Sequence, residues 1–199
     1  MKTILILIIT ILINLQGVSA QDDDLSSALV KITEVSLSGN AEDLLVLTSP
    51  RIIKAMGGAE NALQLFKEAF CSLASQGLGI DTVINYNRLG VFALDDIEYS
   101  FIPQLIIMSI PDKEKKMISV TTLLALKESS TDRWTFIDYN NLTDENLNFL
   151  LPEFKDKVEF PRGLADKPLV IPNGEVEHSL NIFTKILDQA IEKRKSAIN

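Results

Sequence analysis

Residues 104–126 read QLIIMSIPDKEKKMISVTTLLAL, and this stretch decides the fold class. Gln104–Ile110 is apolar at consecutive positions, so a strand there needs cover on both faces. Pro111–Lys116 is a charged turn. Met117–Leu126 then places Ile118, Val120, Leu124 and Leu126 on one side, the period-two signature of a strand. Two long strands joined by a short polar turn form an antiparallel hairpin.

Strand signals continue on both sides. Downstream, Ser129–Asp132 is a second turn and Arg133–Asp138 a last strand carrying Trp134 and Phe136. Upstream, Ile80–Tyr86 alternates, and Val91–Ala93 and Ile97–Phe101 read as strand, interrupted at Asp95-Asp96. Neighbouring strands joined by short polar turns predict an antiparallel meander.

Helices precede the strands. Leu25–Ser38 repeats Leu29, Ile32 and Val35 at helical spacing, and Ala41–Leu47 is a second, short helix. Ser49 is an N-cap with Pro50 at the first helical position, where a missing N–H costs nothing. Gly57-Gly58 closes that turn. Ala59–Ser75 has the strongest pattern, with Leu63, Phe66, Phe70 and Leu73 on one face. After the strands, Thr143 caps a short helix to Leu150, with Asp144 and Glu145 in its first turn. Residues 156–177, with Pro161, Pro168, Pro172, Gly163 and Gly174, read as an extended arm. Residues 178–199 form an amphipathic C-terminal helix with a stripe of Leu180, Phe183, Leu187 and Ala190.

Helices first and a sheet after them is an α+β order. The simplest packing lays Ala59–Ser75 across the concave face of a curved antiparallel sheet. The doubly apolar strand is then central, and the terminal helix is a candidate cover for its other face.

The N-terminus carries a different message. Lys2 precedes an almost unbroken Ile/Leu run from Ile4 to Leu15, and Val18-Ser19-Ala20 puts small residues before Gln21 and three aspartates. This is the pattern of a secretory signal peptide over residues 1–20, cleaved between Ala20 and Gln21. The apolar run is short beside the roughly 20 residues of a bilayer span. An exported chain is expected, periplasmic or extracellular, with no stable membrane insertion after cleavage.

Composition narrows the partners. The chain has 199 residues and a net charge of −8. So acidic a surface repels nucleic acid and anionic membranes. The lone cysteine, Cys71, excludes an intramolecular disulfide. It sits on or beside the apolar face of its helix, so a buried, inert thiol is expected.

Two segments carry a family resemblance. One is Ser49-Pro50-Arg51-Ile52-Ile53-Lys54-Ala55-Met56-Gly57-Gly58 with the long helix to Gln76-Gly77. The other runs from Leu124-Ala125-Leu126 through Arg133-Trp134-Thr135-Phe136-Ile137-Asp138 to Leu150-Leu151-Pro152. Over about residues 25–155 the chain resembles the nuclear transport factor 2-like, or cystatin-like, superfamily. Within it, the chain looks most like small exported bacterial proteins with no assigned activity. The resemblance implies helices packed into a bent sheet as a cone over residues 21–155, often with a pocket inside. Some members of that fold are isomerases using a carboxylate and a tyrosine there. Tyr86, Tyr99, Trp134 and Asp138 are the candidate pocket lining that follows.

The sequence assigns no catalytic, cofactor-binding or metal-binding residue. His178 is the only histidine and reads as a solvated residue near a helix start. No Gly-x-Ser-x-Gly, His-Glu-x-x-His, phosphate-loop or Cys-x-x-Cys pattern is present. Asp95, Asp96 and Glu98 read as a solvated strand bend, and Asp22-Asp23-Asp24 as a frayed terminus. Asn141-Leu142-Thr143 matches a glycosylation sequon, but in a bacterial protein it is the turn and cap before a helix. The expected function is an exported, non-catalytic protein binding a small molecule or protein partner in or near the cone. The alternative is a structural module forming a homodimer through its C-terminal helix; an isomerase-like enzyme with a buried carboxylate ranks third.

Overall fold

The computed structural model describes residues 24–86, 90–140, 142–161 and 167–198, with side chains as far as residue 193 in the last helix. The expected signal peptide with its expected cleavage point at Ala20–Gln21, and Asp22, Asp23 and Asn141, lie outside the described residues. In chain order the elements are α1 (24–38), α2 (Ala41–Leu47), α3 (Pro50–Ala55), α4 (Ala59–Ser75), β1 (Gly79–Asn85), β2 (Phe92–Leu94), β3 (Ile97–Ser109) and β4 (Lys115–Glu128). After them come β5 (Trp134–Asp138), α5 (Asp144–Leu150), β6 (Leu169–Pro172) and α6 (Val176–Ile198). The class is α+β: N-terminal helices on a curved antiparallel sheet, with an extra C-terminal helix.

The β3–β4 hairpin is the spine. Every residue of β3 pairs with β4, from Ile97↔Glu128 to Ser109↔Lys116. On the outer side of β3, β1 pairs with residues 104–109 and β2 with residues 97–99. On the outer side of β4, β5 pairs with residues 123–127 and β6 with residues 115–118. Two strands expected separately, Ile97–Phe101 and Gln104–Ile110, are therefore one strand running through Pro103. The proline is tolerated because its missing N–H falls where that edge of β3 has no strand beside it, between the end of β1 and the start of β2. Its carbonyl, on the same side, accepts from the Tyr86 N–H at 2.9 Å. The expected arm also needs correcting. Its residues 169–172 join the sheet as β6, supplying a partner for the outer edge at the start of β4 that β5 leaves uncovered.

Strand alternation assigns the two faces. One carries Ile102, Gln104, Thr121, Leu123, Ala125, Trp134 and Phe136. The other carries Ile97, Phe101, Leu105, Ile107, Ile118, Val120, Leu124, Leu126 and Ile137.

On the first face, Leu25 and Ile32 of α1 pack against Ile102, Leu123, Ala125, Trp134 and Phe136, with Leu44 and Leu47 of α2 beside them. The helix laid across the sheet is thus α1, not α4. Helix α4 packs on α2 and α3, its stripe is only half-buried, and Ala62 is its one fully buried residue. Periodicity reports that a helix has an apolar face, not what that face meets. Cys71, expected to be buried, is exposed: with helices rather than the sheet beneath α4, the flank of its stripe is left open.

On the second face, Leu187 of α6 packs with Leu105, Ile107, Ile118 and Val120, flanked by Leu180 and Phe183. Further along, α5 and the residues after it deliver Leu147, Leu150, Leu151 and Phe154 onto Ile97, Phe101, Leu124, Leu126 and Ile137. Six rings, Phe92, Tyr99, Phe101, Tyr139, Phe154 and Phe160, join there through successive contacts at 5.0–6.1 Å. The buried Tyr139 hydroxyl donates to the Pro161 carbonyl at 2.8 Å.

Arg51 ties the layers. Its Nε donates to Glu128 at 2.8 Å, and its two terminal nitrogens donate to Glu153 at 2.9 and 3.0 Å. It also reaches the Leu150 carbonyl at 3.0 Å. The segment before it is pinned by the Ser49 N–H donating to Phe136 O at the edge of β5. Gly57 and Gly58 then turn the chain into α4 at positive φ, and a Cβ on Gly57 would lie 2.7 Å from Asn61 Nδ2.

Candidate functional site

The N-terminal helices do not seal the first face of the sheet. A cavity of about 320 Å³ lies between them and the strands, within the roughly 300–1,000 Å³ of small-molecule sites. Ile32, Leu44, Leu47, Ile52, Met56 and Phe66 form the helical wall; Ile106, Leu123 and Phe136 form the apolar part of the floor.

One row of the floor is polar. Asn85, Gln104 and Thr121 stand opposite one another on β1, β3 and β4. The Gln104 amide donates to Asn85 Oδ1 at 2.6 Å, and Asn85 donates in turn to Thr33 Oγ1 of α1 at 3.0 Å. On the other side Thr121 Oγ1 donates to Asp138 Oδ1 at 3.3 Å. Asn140 folds over this end, donating to Thr121 Oγ1, to the Thr122 carbonyl at 2.9 Å and to Asp138 Oδ1 at 2.7 Å. A polar rung therefore crosses an otherwise apolar surface. Gln104 is 5% exposed and Thr121 8%, whereas Asp138 is exposed and stands at the mouth.

The expected lining residues are not brought together. Asp138 lines the cavity. Trp134 shares its face but sits further along β5 in the α1 cluster, 2% exposed. Tyr99 belongs to the ring cluster of the opposite face, held 5.0 Å from Phe154, and burial pushes its phenol above the ordinary value. Tyr86, at the end of β1, packs toward the opposite-face clusters and hydrogen-bonds Thr184 of α6 at 2.7 Å. Among the described residues no tyrosine lines the cavity beside Asp138.

The rung itself was missed. Its signal was available: Gln104 is the one amide in the run from Ile97 to Ile110. Inside a strand covered on both faces, such a residue must find a partner or face a cavity.

The remaining candidates lie elsewhere. His178 is exposed on α6. Asp95 and Asp96 are the two-residue turn between β2 and β3, with Asp95 at φ +53°. Asp24 pairs with Lys127 at 2.9 Å. Among the described residues no group of three or more His, Cys, Asp or Glu is placed to hold a metal ion, and no helix is long and apolar enough to cross a membrane. No protein-family model, curated protein or solved structure matches the chain.

Proposed function

We propose that this is an exported binding protein of the nuclear transport factor 2-like superfamily that holds a small molecule between its N-terminal helices and its sheet. The polar rung beneath the cavity carries the reading. A sheet face serving only as core is filled with apolar side chains to near-crystalline density. Here the described lining leaves about 320 Å³ open. Its floor holds an amide and a hydroxyl whose burial costs free energy unless each is hydrogen-bonded. Apolar walls with a few convergent polar groups are the usual make-up of a ligand site.

The self-association alternative draws less support. The stripe of α6 that suggested it is used inside the fold, as the cover over Leu105 and Ile118.

The reading is tested by fluorescence titration with N-phenyl-1-naphthylamine, a neutral dye that brightens when buried. Saturation at one dye per chain, lost in Ile106→Trp, is expected, because the indole rises from the floor into the cavity. No brightening with the unaltered chain would overturn the reading.

A further inference from the structure

The hydrogen-bond pattern of the lining restricts what the cavity can hold. Three hydroxyls among the described residues line it, and each spends its proton on the protein. Ser36 donates to Ile32 O at 2.7 Å, Thr48 to Leu44 O at 2.8 Å, and Thr121 to Asp138 at 3.3 Å. Each keeps only lone pairs for a ligand. Asn140 directs its side-chain amide at Thr121, Thr122 and Asp138. Gln104 commits one amide hydrogen to Asn85, leaving a carbonyl oxygen and one N–H.

Asp138 adds charge of one sign. Its Oδ1 takes the Thr121 hydroxyl and both Asn140 donors, so among the described residues its second carboxylate oxygen is the one left for a ligand. No Lys, Arg or His is among the described lining residues to balance it. A carboxylate or sulfonate placed there meets lone pairs and a negative charge, whereas an ammonium or hydroxyl meets acceptors.

Resting on the cavity reading above, we infer that the ligand is a small amphiphile whose aliphatic body fills the apolar walls and whose polar end donates hydrogen bonds, a primary amine above all, at Asp138.

Three ligands that differ only in the head group test this: octylamine, octan-1-ol and octanoate, titrated calorimetrically into the unaltered chain at pH 7. Octylamine is expected to bind about tenfold or more tighter than octanoate, with octan-1-ol between them. Asp138→Asn retains an oxygen for Asn140 and replaces the other with an amide. It is expected to reduce the octylamine-to-octanoate ratio about fivefold or more, with octan-1-ol affinity falling less than octylamine affinity. Ile106→Trp is expected to abolish all three. Leu44→Trp, from the helical wall, repeats that block should the first variant fail to fold. Octanoate binding as tightly as octylamine would overturn the head-group inference and leave the cavity reading standing. Octylamine binding that survives both tryptophan variants belongs to the acidic surface and would also overturn it. Absence of binding by all three would overturn both readings.

Discussion

Gln104 of β3 lies directly opposite Thr121 of β4, and this cross-strand pair is the buried centre of the polar rung from Asn85 to Asp138 that breaks the apolar floor beneath the N-terminal helices. Of its neighbours on the same face, Ile102 and Ile106 on one strand and Leu123 on the other are apolar, and Ser119 is half-buried opposite Ile106. A polar pair at that one register position commits the site to recognition at some cost to stability.

Gln104→Leu separates the two roles. The substitution removes a buried amide, and water can satisfy the half-buried Asn85 that loses its partner. The stability change in urea unfolding is expected within about 1 kcal/mol. Octan-1-ol affinity should fall severalfold in the same protein.

Leu187→Ala should cost about 2–5 kcal/mol, because Leu187 is 1% exposed in the cluster that covers the second face. Ile186→Ala, one residue earlier and 50% exposed, is expected to stay within about 0.5 kcal/mol. Equal urea midpoints for the two variants would show that α6 does not cover the sheet.

Trp134 is buried, and its indole N–H meets no hydrogen-bond partner among the described residues. Trp134→Phe therefore removes a buried, unpaired donor together with some apolar area, and should cost less than about 1.5 kcal/mol. Trp134→Ala is expected to cost about 3–5 kcal/mol. Chemical unfolding of the two variants measures the difference.

Glu153 gives the fold an acid sensitivity. Its hydrogen bonds from Arg51 hold the carboxyl below its ordinary value. In the unfolded chain that group titrates near about 4.3. A folded-state value lowered in this way adds stability that is fully present above the unfolded value and is lost as pH falls through the folded one. The Glu153 side chain is about a third exposed, so solvent screening holds the contribution to about 1 kcal/mol. Glu153→Gln should be less stable than the unaltered chain at pH 7, and the gap should narrow as pH falls below the unfolded-state value of about 4.3. A gap that persists at low pH would rule out the pair as its source.

Much of the fold is legible in the sequence because its elements are locally determined. Asn40, Ser49 and Thr143 all cap their helices through side-chain oxygens, and capping depends only on residues nearby in the chain. The β3–β4 hairpin follows from alternation and a polar turn. Packing partners were less legible. The strong stripe of α4 looked like the sheet-facing helix, but α4 packs on α2 and α3, while α1, with a weaker pattern, buries Leu25 and Ile32 on the sheet. The site was least legible. Asn85, Gln104 and Thr121 come from three strands and only the register aligns them, while Asp138, opposite Leu123 on a fourth, reaches Thr121 diagonally. Read singly, each is an ordinary polar residue in a strand.

Native mass spectrometry of the chain purified from its own cells tests the central claim most directly. The cavity reading predicts one small molecule per chain, released on unfolding and carrying an amine or hydroxyl head on an aliphatic body. A chain that emerges bare, and that also takes up no octylamine or octan-1-ol when these are added, would contradict it.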